Sequence, residues 1–524
     1  MPATTASGSA IVRAADEETG PGMTVRTRPA LSPAIQAILF VAAAGLWYCA
    51  IGDNYDWWAP WLAPLPLLVL ATGSGWIVAA VAAFAAVAAG LTNVFIHHGF
   101  AVESQNVLVY LGYGIDPVTY VGPIVAYAAA AAVIVVLARF VMLRLRHPVA
   151  LLAFPALWTG YEYLVFLARR GDAGFSLAYT QIDILPLVQL GAVTGTAGVV
   201  FLVMMVPAGL AMAWLLRDRP RQAIACLVVP AACVAAAFIG GSLRLGDTAG
   251  QRQAIVAVVA PPTDDSVLTA TSAEAVEAAI KAYEAPLDAL AGKGVELVVL
   301  PEKLASVGPD LIDGAFAHFQ SIADRNGLSV LAGFTETDAA GGAKNTARLF
   351  APGTTSPVAY VKEYLIPGME GRYTPGSAPL VMADRTAPWG VTICHDMDFP
   401  AKWRGYARQG VGLMAVPALD FDVDAWHHAR IAVFAGISGG FAVARNGQWG
   451  MLTISDDRGR MLAATLTSHT ETTAIQATVP VGSGNTLYAR FGDWFAVLSL
   501  AAAILLIGAA FLARREEEKA RGKS

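Results

Sequence analysis

Eight apolar stretches constrain this chain more than any other feature of its sequence. A helix that crosses a bilayer needs about 20 mostly apolar residues. Stretches of that kind run over 34–52, 57–72, 76–96, 120–142, 149–168, 188–216, 222–241 and 493–513, the second of them short and rich in proline. Charged residues make up 14% of the chain, against about 25% in soluble domains. They are sparse before residue 245 and frequent after it, so two parts facing different solvents are expected. The net charge of -5 gives no pointer to nucleic acid.

Basic residues set the orientation of membrane helices, because cytoplasmic flanks carry the excess of Lys and Arg. Arg26 and Arg28 precede the first stretch, Arg144 and Arg146 follow the fourth, and Arg217, Arg219 and Arg221 follow the sixth. Arg514, Arg515, Lys519 and Lys523 follow the eighth. With about eight crossings all these clusters fall on one side, with Arg169 and Arg170 as the exception. The expected organisation is a disordered cytoplasmic tail over 1–30, transmembrane helices 1–7 within 31–241 and an extracytoplasmic domain over 242–490. Transmembrane helix 8 over 491–513 and a cytoplasmic tail over 514–524 complete it. The tail does not read as a cleavable signal peptide, since no apolar run begins before Leu31.

The block between the last two stretches reads as α/β. Short apolar strands over 254–260, 295–300, 328–333, 389–394, 413–419, 441–446 and 449–454 are interleaved with helical patterns over 272–291, 308–325 and 424–437. Three reactive residue types stand at strand ends: Glu302 after VELVVL and Pro301, Lys362 after VAYV, and Cys394 at the end of WGVTIC. Ligands of open α/β folds gather beyond the carboxyl ends of strands. A thiol becomes a good nucleophile once a base takes its proton, which a carboxylate can do. A lysine supplies fixed positive charge for the oxyanion formed when an acyl carbonyl is attacked.

The segments PEK (301–303), KEYLIPGME (362–370) and ICHDMDFP (393–400) resemble the Glu-Lys-Cys motifs of the nitrilase (carbon-nitrogen hydrolase) superfamily. FPALWTGYEYL (154–164), the Gln181–Gly198 segment and GNTLYARFGDW (484–494) are similar to one branch of it, the bacterial apolipoprotein N-acyltransferases. The resemblance implies a bundle of about eight transmembrane helices with an extracytoplasmic αββα sandwich in a bacterial inner membrane. It also implies an acyltransferase. Cys394 would be the nucleophile toward a phospholipid acyl ester, Glu302 the general base and Lys362 the stabiliser of the oxyanion. Glu370 matches a second glutamate that supports the site. The acyl chain, held as a Cys394 thioester, would pass to the N-terminal S-diacylglyceryl cysteine of a lipoprotein. No metal or organic cofactor is required. His395 and Asp396 stand where the family has Tyr and Glu, and His395 reads either as a supporting partner of the site or as a solvent-facing side chain.

Other residues read as structural. His427 and His428 point about 100° apart on a helix, which argues against one shared metal ion. His97 and His98 sit at a membrane edge. Glu162, inside an apolar stretch, suits a hydrogen bond to a neighbouring helix, and Trp57, Trp58 and Trp61 suit an interfacial belt. The Gly-rich stretches 366–377 and 480–486 are candidate gating loops. Two functional alternatives remain open. One is a membrane-tethered amidase, in which water replaces the amine. The other is a transporter or inactive scaffold, which would leave Cys394 dispensable.

Overall fold

The computed structural model describes residues 31–52, 55–105, 117–247, 251–263, 272–383, 388–422 and 424–521. It describes side chains for all of these but 94–120, Glu517, Ala520 and Arg521. The tail read over 1–30, with Arg26 and Arg28, lies outside the described residues, as do Lys523 and the side chains of His97 and His98.

Among the described residues, seven helices are long and apolar enough to cross a membrane, six before the α/β block and one after it. In chain order the helices of the first part are α1 (Pro33–Ala50), α2 (Pro64–Gly73), α3 (Trp76–Gln105), α4 (Pro117–Leu145), α5 (Ala153–Ala168), α6 (Thr196–Leu215) and α7 (Pro220–Gly246). The short one is α2. Pro60, Pro64 and Pro66 delay its start, since proline is accommodated in a first helical turn but not in the interior. The segment nevertheless runs back along α1. Leu31 N–H donates to Gly73 O at 3.1 Å, so α2 ends where α1 begins. Arg139 of α4 closes that end by donating from Nε to Ala71 O (2.7 Å) and from Nη2 to Ser74 O (2.8 Å). The last turn of α4 and the loop after α6 meet there too, through Arg146 and Asp218 at 3.3 Å. The basic clusters after α4 and α6 thus gather at one end of the bundle, and α7 leads from that end to the α/β block.

The α/β block is two six- or seven-stranded sheets packed face to face. One has the order β13-β1-β2-β4-β5-β6 with β3 on β4, and the other has the order β12-β11-β10-β9-β8-β7. The strands that place the site are β1 (Gln253–Ala260), β2 (Leu297–Val299), β3 (Ala305–Val307), β4 (Ser329–Thr337), β5 (Ala343–Phe350) and β6 (Val358–Val361) in the first sheet. In the second they are β7 (Leu380–Met382), β8 (Trp389–Val391), β9 (Leu413–Leu419), β10 (Ala442–Gln448), β11 (Met451–Ser455) and β12 (Met461–Leu466). The last strand, β13 (Thr473–Pro480), returns to pair antiparallel with β1. Val256, Val258 and Leu297 meet Trp389, Val391, Leu413 and Ala415 in the layer between the sheets. The parallel β1-β2-β4 and β8-β9-β10 runs are apolar along their length because both faces are covered.

Helices α8 (Ala273–Lys281) and α9 (Ile312–Asn326) cover the outer face of the first sheet through Val276, Ile280, Phe319 and Ile322. Helices α10 (Pro400–Arg408) and α11 (Ala425–Gly439) cover the second through Trp403, Tyr406, Ala432 and Ala435. Helix α11 is buried on all sides from Ala429 onward. Its opposite flank, Ile431, Val433, Phe434 and Ile437, belongs to the apolar core of the membrane bundle. That is why its sequence is apolar or small at nearly every position. The last helix, α12 (Trp494–Arg521), re-enters the bundle, and Trp494 Nε1 donates to Val193 O at 2.9 Å.

Glu162 bonds within its own helix and to the loop that follows, not to a neighbouring helix. It accepts from Trp158 Nε1 (3.1 Å) and from Ser176 Oγ (2.8 Å). Trp61 Nε1 donates to Gln181 Oε1 at 2.8 Å, which ties it to protein rather than leaving it free in the belt.

Candidate active site

Glu302, Lys362 and Glu370 meet in one buried cluster, each at most 2% exposed. Lys362 ends β6, where its N–H donates to Asn345 O on the neighbouring β5 (2.9 Å). Its Nζ lies 3.0 Å from Glu302 Oε1 and 2.8 Å from Glu370 Oε2. Asn345 Nδ2 donates to Glu302 Oε1 (2.6 Å) and to Glu370 Oε1 (3.1 Å). Lys303 Nζ donates to Glu370 Oε1 at 2.5 Å. Two lysines thus face two carboxylates. Burial opposes the charge on Lys362, but Glu302, Cys394 and Glu370 hold its ammonium well above the ordinary lysine range. Burial pushes Glu370 up, and Lys362 and Lys303 overcome it and hold the carboxyl well below the carboxylate range.

Two oxygens of the cluster are left over, Asn345 Oδ1 and one of Glu302. Glu302 Oε2 is buried and accepts no hydrogen bond among the described residues. Glu302 also lines a cleft of about 240 Å³ with Thr263, Tyr283, Leu304, Leu419 and Trp449. Leu419 O is the nearest acceptor of the Cys394 thiol, at 3.9 Å from Sγ. Burial raises the Cys394 thiol far above its ordinary range; Glu302 adds to this, and Lys362 and Arg445 oppose it. Burial thus favours the neutral thiol over the thiolate.

Backbone geometry marks the same places. Cys394 (φ 44°) and Lys303 (φ 54°) both adopt the left-handed region, which is uncommon outside glycine and gathers at functional sites. Cys394 opens a single 3-10 turn, Cys394–Asp398. Asp396 within that turn is fully buried and accepts four bonds. They come from Ile393 N (2.9 Å), Tyr360 Oη (2.6 Å), Tyr364 N (2.8 Å) and Glu363 N (3.2 Å). It thereby fastens the chain on both sides of Lys362 to the turn bearing Cys394. Arg445 forms a bidentate pair with Asp420 (2.8 and 2.5 Å) below the turn. The stretch 366–377 is anchored at Glu370, at Thr374 N to Ala343 O and at Gly376 N to Lys362 O (both 2.8 Å).

His395 pairs elsewhere, with Asp172 and Asp398, and the donor atoms of these three lie within 4.8 Å of one another. The Asp172 oxygens already accept from Arg169 and Gly174 N, so the group is better described as a chain of charges than as a cage for a cation. His428 pairs with Asp424 at 3.0 Å, and the two adjacent histidine rings sit 5.6 Å apart.

Gly333 of β4 positions Glu302. A Cβ there would stand 2.4 Å from Pro301 O and 2.7 Å from Glu302 Cα. Gly333→Ala is expected to lower stability by about 1–3 kcal/mol, the usual range for overpacking, and to slow any chemistry that uses Glu302. Thermal unfolding read beside activity checks it; unchanged values for both would refute the placement.

The profile of the apolipoprotein N-acyltransferase N-terminal domain matches residues 43–209, and that of carbon-nitrogen hydrolases matches residues 255–485. An apolipoprotein N-acyltransferase of Geobacter metallireducens is 24% identical over 395 residues, 69% of this chain and 74% of its own. A deaminated glutathione amidase of Synechocystis is 32% identical over 158 residues, 25% of this chain and 57% of its own. Among solved structures, Nit3 of Saccharomyces cerevisiae, a nitrilase-superfamily member, aligns over 44% of this chain and 91% of its own at a TM-score of 0.36 and 19% identity. The chain thus carries an apolipoprotein N-acyltransferase N-terminal domain followed by a carbon-nitrogen hydrolase domain, in that order.

Proposed function

We propose that this protein is a membrane acyltransferase. It takes an acyl chain from a phospholipid, holds it as a thioester on Cys394, and passes it to the N-terminal S-diacylglyceryl cysteine of a lipoprotein. The observation that carries the mechanism is the free Glu302 Oε2, the one carboxylate oxygen of the Glu302–Glu370 pair that accepts no hydrogen bond among the described residues. Because burial favours the neutral thiol, its proton has to leave as sulfur attacks the ester carbonyl, and Glu302 Oε2 is the buried carboxylate oxygen available to take it. An ammonium has three N–H donors. Lys362 directs two at Glu302 and Glu370, and the third is assigned to the developing oxyanion. Collapse of the tetrahedral intermediate breaks the C–O bond, and Glu302 returns its proton to the departing lysophospholipid. In the second half the lipoprotein amine attacks the thioester and gives a proton to Glu302; the C–S bond then breaks, Glu302 returns that proton to sulfur, and Cys394 leaves as the thiol.

The basic clusters at the far end of the bundle support a cytoplasmic location for that end, and with it an extracytoplasmic catalytic domain in the bacterial inner membrane. No metal or organic cofactor enters this chemistry.

Intact-mass spectrometry of the detergent-purified full chain with phospholipid tests the reading. The wild type is expected to gain one hydroxylamine-labile acyl chain, and Cys394→Ala none. A diacylglyceryl-cysteine peptide should then discharge it. An adduct that only water discharges would replace the transferase with a hydrolase of the amidase kind. An adduct unaffected by Cys394→Ala would end the mechanism.

A further inference from the structure

The loop after α5 leaves the membrane bundle and lies against the turn that carries Cys394. Ala173 N–H donates to Asp398 O at 2.8 Å. His395 Nε2 stands 3.8 Å from Asp172 Oδ2 and 3.6 Å from Asp398 Oδ2, so the imidazole lies between two carboxylates, one from each half of the molecule. The membrane-side carboxylate is itself fixed. Gly174 N donates to Asp172 Oδ1 (2.8 Å), and the Arg169 guanidinium binds Oδ2. Gly174 is what lets the loop come this close, because a Cβ there would sit 3.1 Å from an oxygen of Asp172 and 3.1 Å from an oxygen of Asp398.

We propose that Asp172 is a positioning residue for acyl transfer, locking the Cys394 turn to the membrane half through His395 for as long as His395 carries its proton. The proposal rests on the acyl-transfer reading for its catalytic consequence, but the lock itself does not.

The groups facing His395 are Asp398 on its own turn, Asp172 with Arg169 from the membrane loop, and Lys362 from the end of β6. His428, beside Asp424 on α11, and Arg445 on β10 act on Asp398. The Tyr364 carbonyl stands 3.4 Å from Nδ1, and the Phe399 ring lies edge-on at 5.1 Å. Burial alone would depress His395, and Lys362 opposes its charge as well, yet Asp172 and Asp398 outweigh both and raise it above the ordinary histidine value. The sign follows from that. The lock is fully present below the ordinary histidine range and is lost as pH rises through the raised pKa. Replacing Asp172 with Asn removes one of the two carboxylates, so the loss begins at lower pH.

The test uses the full-length protein in vesicles of phosphatidylethanolamine and phosphatidylglycerol. Two rates are followed across the neutral and alkaline range: single-turnover acylation of Cys394, and alkylation of Cys394 by iodoacetamide, which needs no acyl donor. Asp172→Asn should move the histidine inflection to lower pH in both profiles. Acylation at the alkaline end should fall about tenfold, the equivalent of one unit in the inflection. His395→Phe cannot take a proton, so its profiles should lack the inflection, and adding Asp172→Asn to it should change nothing further. Profiles of Asp172→Asn that superimpose on the wild type, or effects that add fully in the double variant, overturn the proposal. A wild type that takes no acyl chain but whose alkylation inflection shifts keeps the lock and removes the acyl-transfer reading. A wild type that acylates with unmoved inflections does the reverse.

Discussion

Lys362→Met should suppress acylation of Cys394 by about 10²–10³-fold, the loss seen when one preorganised oxyanion donor is removed. It should also cost about 3–5 kcal/mol of stability, because taking one partner from a buried charge group strands the others. The side chain is fully buried between Glu302 and Glu370; without it Glu370 keeps Lys303 at 2.5 Å, while Glu302 keeps that lysine only at 3.7 Å. The pH dependence separates charge from packing. Glu370 in the wild type is held below the carboxylate range, so it contributes stability above that range and loses it as pH falls. The variant, without Lys362, gains relative to the wild type as acid neutralises the stranded carboxylates. Unfolding curves of the two should therefore converge toward low pH. Parallel curves would mean that Lys362 stabilises by packing alone.

Asp396→Asn carries the second large effect. All four bonds to Asp396 are accepted by its carboxylate, and three come from backbone N–H groups of Ile393, Glu363 and Tyr364 that cannot turn away. An amide places an NH₂ against at least one of them and leaves buried donors unmet, at about 1–3 kcal/mol each. The larger consequence is geometric. Asp396 ties the backbone beside Lys362 to the turn bearing Cys394, so its loss lets Cys394 and Lys362, the proposed nucleophile and oxyanion donor, drift apart. A displacement of about 1 Å costs on the order of 10²-fold in rate. The deficit should appear in kcat with the phospholipid KM unchanged, since Asp396 is buried beneath the turn. A change confined to KM would point to a role in binding instead.

The broad architecture was legible because its signals are long. The membrane segments announce themselves by uninterrupted apolar length, and the parallel strands by short apolar runs at regular intervals. Glu302, Lys362 and Cys394 could be singled out because each closes such a strand. What stayed hidden shares a cause, which is that its meaning depends on a distant partner. Strand β5 (AKNTARLF) carries no apolar run to mark it, yet it is the strand on which Asn345 bridges both glutamates. Lys303, next to Glu302, passes for a surface charge until Glu370 arrives opposite it. Asp172 sits in a connection between membrane helices, and no local pattern joins it to the cysteine turn. Helix α2, cut short by its prolines, falls below the length of a crossing helix, and its end beside the start of α1 shows only in the bond from Leu31 N to Gly73 O and in those from Arg139.

Helix α11 belongs to two cores at once, and this turns a covering helix into a datum. In a free-standing sandwich the outer helices look onto water, and the sheet may tilt or swivel against whatever it is tethered to. Here the helix behind the second sheet is sealed into the bundle along Ile431, Phe434 and Ile437. The distance from the membrane helices to the sheet that carries Cys394 is therefore set by side-chain packing, like a gauge mark cut into a wall, and not by the length of a tether.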